Sequence, residues 1–126
     1  MGDRRRVLVV DDVPSVRLLL RSTLPLHGLE VVGEASTGVD ALALAKSEKP
    51  DAVLLDIHMP DMNGMEVIQQ LKVDSPDVKI VMYSNYDDRN MQQQAYSLGA
   101  DAYVDKLAPI PDVANAIEAL FADGDV

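Results

Sequence analysis

The sequence predicts an α/β fold, a five-stranded parallel sheet doubly wound with helices on both faces. Two observations predict it. Five short apolar runs alternate with five stretches of helical period, joined by loops of two to seven residues, as in a chain of strand, crossover helix and next parallel strand. The strand runs are also apolar throughout rather than alternating, as strands buried on both faces must be.

Arg6 to Val10 is a continuous apolar run closed by acids and reads as the first strand. Pro14 suits the first turn of a helix, where its missing N–H would have no partner in any case, and Val16, Leu19, Leu20, Thr23 and Leu24 follow at helical spacing. Gly28 closes that segment, with His27 beside it as part of the stop. Leu29 to Ser36 is the second strand. Val39 to Lys49 is an alanine-rich helix stopped by Pro50, which forces the residue before it out of the helical region. Ala52 to Asp56 is the third strand, again apolar and again ending on an acid. Met65 to Leu71 is a helix ahead of Pro76, Val78 to Tyr83 a strand, and Asp87 to Leu98 a helix with Gly99 as its stop. Asp101 to Asp105 is the fifth strand and Asp112 to Ala122 the last helix.

At 126 residues the chain fits one domain, residues 1–126, large enough to bury roughly two-thirds of its unfolded surface. Hydrophobic residues at 48% and charged residues at 25% exclude wholesale disorder. The absence of cysteine excludes disulfides, thiolate metal sites and thiol nucleophiles. The longest apolar run, Ala41 to Ala45, falls far short of the roughly 20 residues that span a bilayer, and the N-terminus lacks a signal-peptide stretch. A soluble, cytoplasmic protein without a membrane partner is expected. A net charge of −10 opposes nucleic-acid binding by this chain, which needs a basic footprint. The one basic cluster, Arg4-Arg5-Arg6, reads as a solvated flank before a buried strand.

Ligands of doubly wound sheets bind beyond the carboxyl ends of the strands, so the residues there matter most. The first strand ends in Asp11-Asp12, the third in Asp56, the fourth in Ser84 and the fifth in Asp105-Lys106. In a 2-1-3-4-5 order the first and third strands are neighbours and their carboxylates converge. Three carboxylates in one pocket raise one another's pKa values or are held ionised by a cation. Oxygen ligands, few in number and next to a lysine, suit Mg²⁺ with several waters better than a caged Ca²⁺ or zinc. Alone, an Asp-Asp pair at a strand end more often caps the next helix. Four polar strand ends together point to a site.

These residues resemble the receiver domain of two-component response regulators, the CheY-like family, from Val7 to about Ala122. The most specific piece is Asp56-Ile57-His58-Met59-Pro60-Asp61-Met62-Asn63-Gly64, which matches the family's Asp-x-x-Met-Pro-x-x-x-Gly segment; Asp11-Asp12, Ser84, Tyr103 and Lys106 join it in order. The resemblance implies a flavodoxin-like, CheY-like (βα)5 fold of order 2-1-3-4-5, and a phosphorylation-activated switch rather than an enzyme with turnover. It implies Asp56 as the acceptor of a phosphoryl group from a sensor histidine kinase or a histidine phosphotransfer protein. Mg²⁺ would be held by Asp12, by Asp11 mainly through a water, by Asp56 and by the His58 backbone carbonyl. Lys106 and Ser84 would donate to the phosphoryl group. Ser84, drawn inward, would vacate space for Tyr103 and change the partner preferred by the face of the fourth helix, fifth strand and fifth helix. The partner would be a downstream effector protein or a C-terminal output domain. Val31 to Leu42 resembles receivers of the NarL type, which often precede a helix-turn-helix; no recognition helix follows Ala122, so any output domain is expected outside this chain.

The chain departs from the family pattern at two positions. Leu107 stands where many members have proline, so the loop through Ala108, Pro109, Ile110 and Pro111 is expected to take its own course. Asn85 stands where a small residue is usual. His58 and Tyr86, two residues after Asp56 and Ser84, flank the approach of water, and bulky Tyr86 is expected to slow hydrolysis of the acyl phosphate. A haloacid-dehalogenase-like phosphatase is the rival enzyme reading, but it wants a second acid where His58 stands. A flavodoxin-like FMN domain or a nucleotide domain is the rival binding reading. Against both binding modules, no Ser/Thr-rich phosphate loop, G-x-G-x-x-G or G-x-x-x-x-G-K-[ST] occurs.

Overall fold

Val7, Leu8, Val9 and Val10 are at most 1% exposed, and this run forms most of strand β1 (Arg5–Val10), an interior strand of the sheet. The computed structural model describes residues 4–85 and 89–122. Helix α1 (Pro14–Thr23) follows, then a 3₁₀ turn (Leu24–His27) ended by Gly28 in the left-handed region, φ 88°. Next come β2 (Leu29–Ala35), α2 (Gly38–Glu48), β3 (Ala52–Leu55), α3 (Gly64–Asp74) and β4 (Lys79–Ser84). Helix α4 (Arg89–Leu98), β5 (Ala102–Asp105) and α5 (Ile110–Ala122) are the last of the described elements.

All four strand pairings are parallel and the order is β2-β1-β3-β4-β5, as expected. Alternate strand residues feed two separate cores. Leu8, Val10, Val53, Leu55, Ile80 and Met82 meet Ala41 and Ala45 of α2, Ile68 and Leu71 of α3 and Ala95 of α4. On the other face Val7, Val9, Leu54, Val81 and Val104 meet Leu20 of α1 and Val113 and Ile117 of α5. Each fully buried Leu, Ile or Val stabilises the fold by about 1.5–3 kcal/mol, so both helix layers are held chiefly by this packing.

Several boundaries differ from the sequence expectation, for local reasons. Helix α3 runs one turn beyond Leu71, because Lys72, Val73 and Asp74 are compatible with helix and only Pro76 forces the exit. Helix α5 starts at Ile110 rather than Asp112: Pro111 falls in the first turn, where the N–H it lacks has no intrahelical acceptor. Leu19 is 47% exposed, beside the face on which α1 buries Leu20. The expected start of α4 at Asp87 lies outside the described residues. Among the described residues no helix is long and apolar enough to cross a membrane.

Candidate functional site

The strand ends are brought together by hydrogen bonds that extend the sheet one residue past its strands. Val10 is opposite Leu55 in the β1–β3 register, so the next residues, Asp11 and Asp56, emerge side by side. The Asp11 N–H donates to the Ala35 carbonyl at 3.0 Å and the Asp56 N–H to the Val10 carbonyl at 3.0 Å. On the far side Ser84 is opposite Asp105, and the Lys106 N–H donates to the Ser84 carbonyl at 3.1 Å. Lys106 therefore leaves β5 pointed back across β4.

Asp11, Asp12 and Asp56 each offer a carboxylate oxygen, and these oxygens lie within 4.8 Å of one another. Asp11 and Asp56 are buried and Asp12 is exposed. Neither Asp11 nor Asp12 caps α1: the cap position is Val13, which makes no side-chain cap, while Asp11 Oδ1 accepts the Val13 N–H at 2.9 Å. Lys106 Nζ lies 2.6 Å from Asp11 Oδ2 and 3.2 Å from Asp56 Oδ2. The shorter contact pairs the ammonium with the more deeply buried of the two carboxylates. The His58 N–H donates to Asp56 Oδ1 at 3.3 Å.

Burial pushes the Asp56 carboxyl above its ordinary range; the Lys106 charge opposes that rise and the neighbouring Asp11 adds to it. Burial pulls Lys106 down, but Asp11 and Asp56 outweigh it and hold the ammonium above its usual value. One ammonium thus faces a buried carboxylate pair with the exposed Asp12 beside it. A hard divalent cation fits this donor set, because one ammonium leaves the three clustered carboxylates short of positive charge and their oxygens are hard ligands.

The remaining expected residues are placed as follows. Ser84 is 1% exposed at the end of β4, and Tyr103 is half-buried on the face covered by α2, α3 and α4. The His58 side chain is exposed. Tyr86 lies outside the described residues. Leu107 is 87% exposed, in a turn where its N–H and that of Ala108 are both held by Asp105, at 2.8 and 3.0 Å. That turn orients Lys106 without the proline usual in the family.

Sequence reasoning missed three residues that shape the site. Arg17 Nη1 donates to the Asp11 carbonyl at 2.7 Å while its Nε pairs with Glu34 at 3.5 Å, tying α1 and β2 to the acidic loop. Tyr83 presents its ring to Lys106 Nζ, 5.8 Å from the centroid. Asp61 bonds backbone N–H groups of α2. Only Asp61 lay within a singled-out motif, and there in a variable position.

The family model described as response regulator receiver domain matches residues 7–118. The chain belongs to that family. It is a receiver domain of a two-component response regulator, 40% identical over 113 residues to the response regulator protein VraR of Staphylococcus saprophyticus. That match covers 89% of this chain and 54% of VraR, so the chain spans about half the length of the curated relatives it matches. A LuxR-family two-component response regulator from Aurantimonas superposes with a TM-score of 0.90 at 28% identity, over 96% of this receiver and 87% of that chain. A CheY-like receiver domain protein from Methanospirillum hungatei superposes with a TM-score of 0.88 at 28% identity, over 96% of both chains.

Proposed function

We propose that this receiver accepts a phosphoryl group on Asp56 and acts as a switch, with residues 1–126 as one receiver unit. The supporting observation is the buried Asp56 carboxylate, flanked by Asp11 and reached by Lys106 at the shared carboxyl edge of β1, β3 and β5. A carboxylate oxygen of Asp56 attacks phosphorus in line as the bond to the donor's imidazole nitrogen breaks, and the leaving imidazole takes up a proton. Lys106, already at the site, shifts its ammonium from Asp56 to the arriving phosphoryl oxygens and offsets their charge. The Ser84 hydroxyl donates from the end of β4. Asp12, Asp11 mainly through a water, Asp56 and the His58 backbone carbonyl would hold Mg²⁺, which would supply positive charge to offset that of the transferring group.

The acyl phosphate carries close to two negative charges where one carboxylate stood, so Ser84 is pulled inward and Tyr103 rotates toward the space it leaves. The α4–β5–α5 face then changes its preferred partner. A sensor histidine kinase or a histidine phosphotransfer protein supplies the phosphoryl group, and an effector or an output domain reads the result. The test is acetyl phosphate with Mg²⁺. One phosphoryl group per chain by mass, absent in Asp56→Asn, is expected; labelling that persists in Asp56→Asn, or steady release of phosphate from a stable ester, would count against the switch.

A further inference from the structure

The loop from Asp56 to α3 is closed at its stem and tied down at its tip. At the stem the Gly64 N–H donates to the Ile57 carbonyl at 2.8 Å, and His58 forms an isolated antiparallel bridge with Asn63. At the tip Asp61 reaches α2, where Oδ1 accepts the Gly38 N–H at 2.7 Å and Oδ2 the Val39 N–H at 3.0 Å. These are the first two N–H groups of the helix, which have no acceptor within it. The third, on Asp40, is capped separately by Thr37 Oγ1 at 3.1 Å. Helix α2 is thus capped in two parts, one local and one from the loop that leaves Asp56. The backbone bonds from Gly38 and then Val39 hold the Asp61 carboxyl below its usual range. Met62 seals the junction: a Cβ on Gly38 would stand 2.8 Å from Met62 Cβ and Sδ, an approach that only glycine permits.

We infer that Asp61 is a positioning residue of the phosphoryl-transfer site. By spanning the first two N–H groups of α2 it fixes the loop whose stem carries the His58 carbonyl, and so holds that oxygen where a cation at Asp11, Asp12 and Asp56 meets it. The inference rests on the phosphoacceptor reading above. Asp61 touches neither cation nor phosphoryl group; it acts through the backbone between 58 and 61. The coupling is reciprocal, so cation binding tightens the cap of α2.

The test compares wild type, Asp61→Ala, Gly38→Ala and Thr37→Ala. Mg²⁺ affinity is measured by titration calorimetry, amide exchange of residues 57–63 is followed without cation, and acetyl phosphate labelling is scored separately. Asp61→Ala removes the two bonds and Gly38→Ala displaces Met62, and both are expected to weaken Mg²⁺ binding about 10-fold and to speed loop exchange. Thr37→Ala removes the other part of the same cap; it is expected to lower the melting temperature while Mg²⁺ affinity and loop exchange stay at wild-type values. Asp61→Asn, which keeps the shape and one acceptor, falls between wild type and alanine, and carries the test if Asp61→Ala does not fold. Wild-type affinity and exchange in the Asp61 variants would overturn the role, as would equal losses in Thr37→Ala, which would make the effect general destabilisation. A wild-type chain that neither binds Mg²⁺ nor takes a phosphoryl group would overturn the phosphoacceptor reading itself, and the role of Asp61 with it.

Discussion

Lys106 Nζ lies 2.6 Å from Asp11 Oδ2, closer than to Asp56 Oδ2 at 3.2 Å. The ammonium therefore bridges the ends of β1 and β3 before any phosphoryl group arrives, and one lysine offsets two buried charges.

Lys106→Met is expected to lower the unfolding free energy by about 3 kcal/mol at neutral pH, because it strands both carboxylates in a buried site. Urea denaturation measures it. The loss should shrink in acid, since unpaired carboxylates take up protons more readily in the folded state. The same variant should slow acetyl phosphate labelling by roughly 10²-fold, the usual effect of removing one donor to a developing anion. Lys106→Arg restores charge but spreads it over a wider planar group, and should recover stability better than rate.

Asp56→Asn is expected to stabilise the cation-free protein at neutral pH, by an amount on the order of 1 kcal/mol. The sign follows from the direction of the shift. A carboxyl raised by burial contributes stability below its unfolded-state value and loses it as pH rises through the folded one, so at neutral pH its charge is a cost. The gap between variant and wild type should close as pH falls toward the ordinary carboxylate range. Urea titrations in chelator across that range check it; a gap that widens in acid contradicts the burial argument.

Mg²⁺ should raise stability by mass action, by about 1.4 kcal/mol at ten times its dissociation constant. Thermal melts at graded Mg²⁺ measure the shift. Asp12 is exposed and Asp11 buried beneath Lys106, so the two carboxylates should behave differently on removal. Asp12→Asn is expected to abolish most of the Mg²⁺-dependent shift with little effect on the cation-free melt; Asp11→Asn should change both.

Gly64→Ala should be damaging for a backbone reason. A Cβ there would stand 2.7 Å from Ile57 Cα and 2.8 Å from the Ile57 carbonyl oxygen, and neither atom can move without opening the loop stem. A cost of about 1–3 kcal/mol is expected, with weaker Mg²⁺ binding alongside it. Denaturation and calorimetry on one preparation measure both.

Much of the fold is legible because burial on both faces leaves continuous apolar runs. β3 is Ala52-Val53-Leu54-Leu55 with every residue buried, a run too short for a buried helix. Element ends are less legible. Whether Pro111 starts or forbids a helix depends on which turn it falls in, and whether α1 buries Leu19 depends on how the helix is rotated against the sheet.

The site divides in the same way. Asp11, Asp12, Asp56, Ser84 and Lys106 announce themselves by position, because in a parallel sheet every strand's carboxyl end faces the same edge. Fold class, acidic edge and family can all be read from the order of the residues. Which carboxylate Lys106 holds closest, that Arg17 braces Asp11, and that Asp61 caps a helix 23 positions earlier in the chain emerge only from the packed fold. The reason is physical. Periodicity records which residues face the core, whereas those contacts join polar groups from different loops, brought within about 3 Å only once the packed sheet sets where each loop begins.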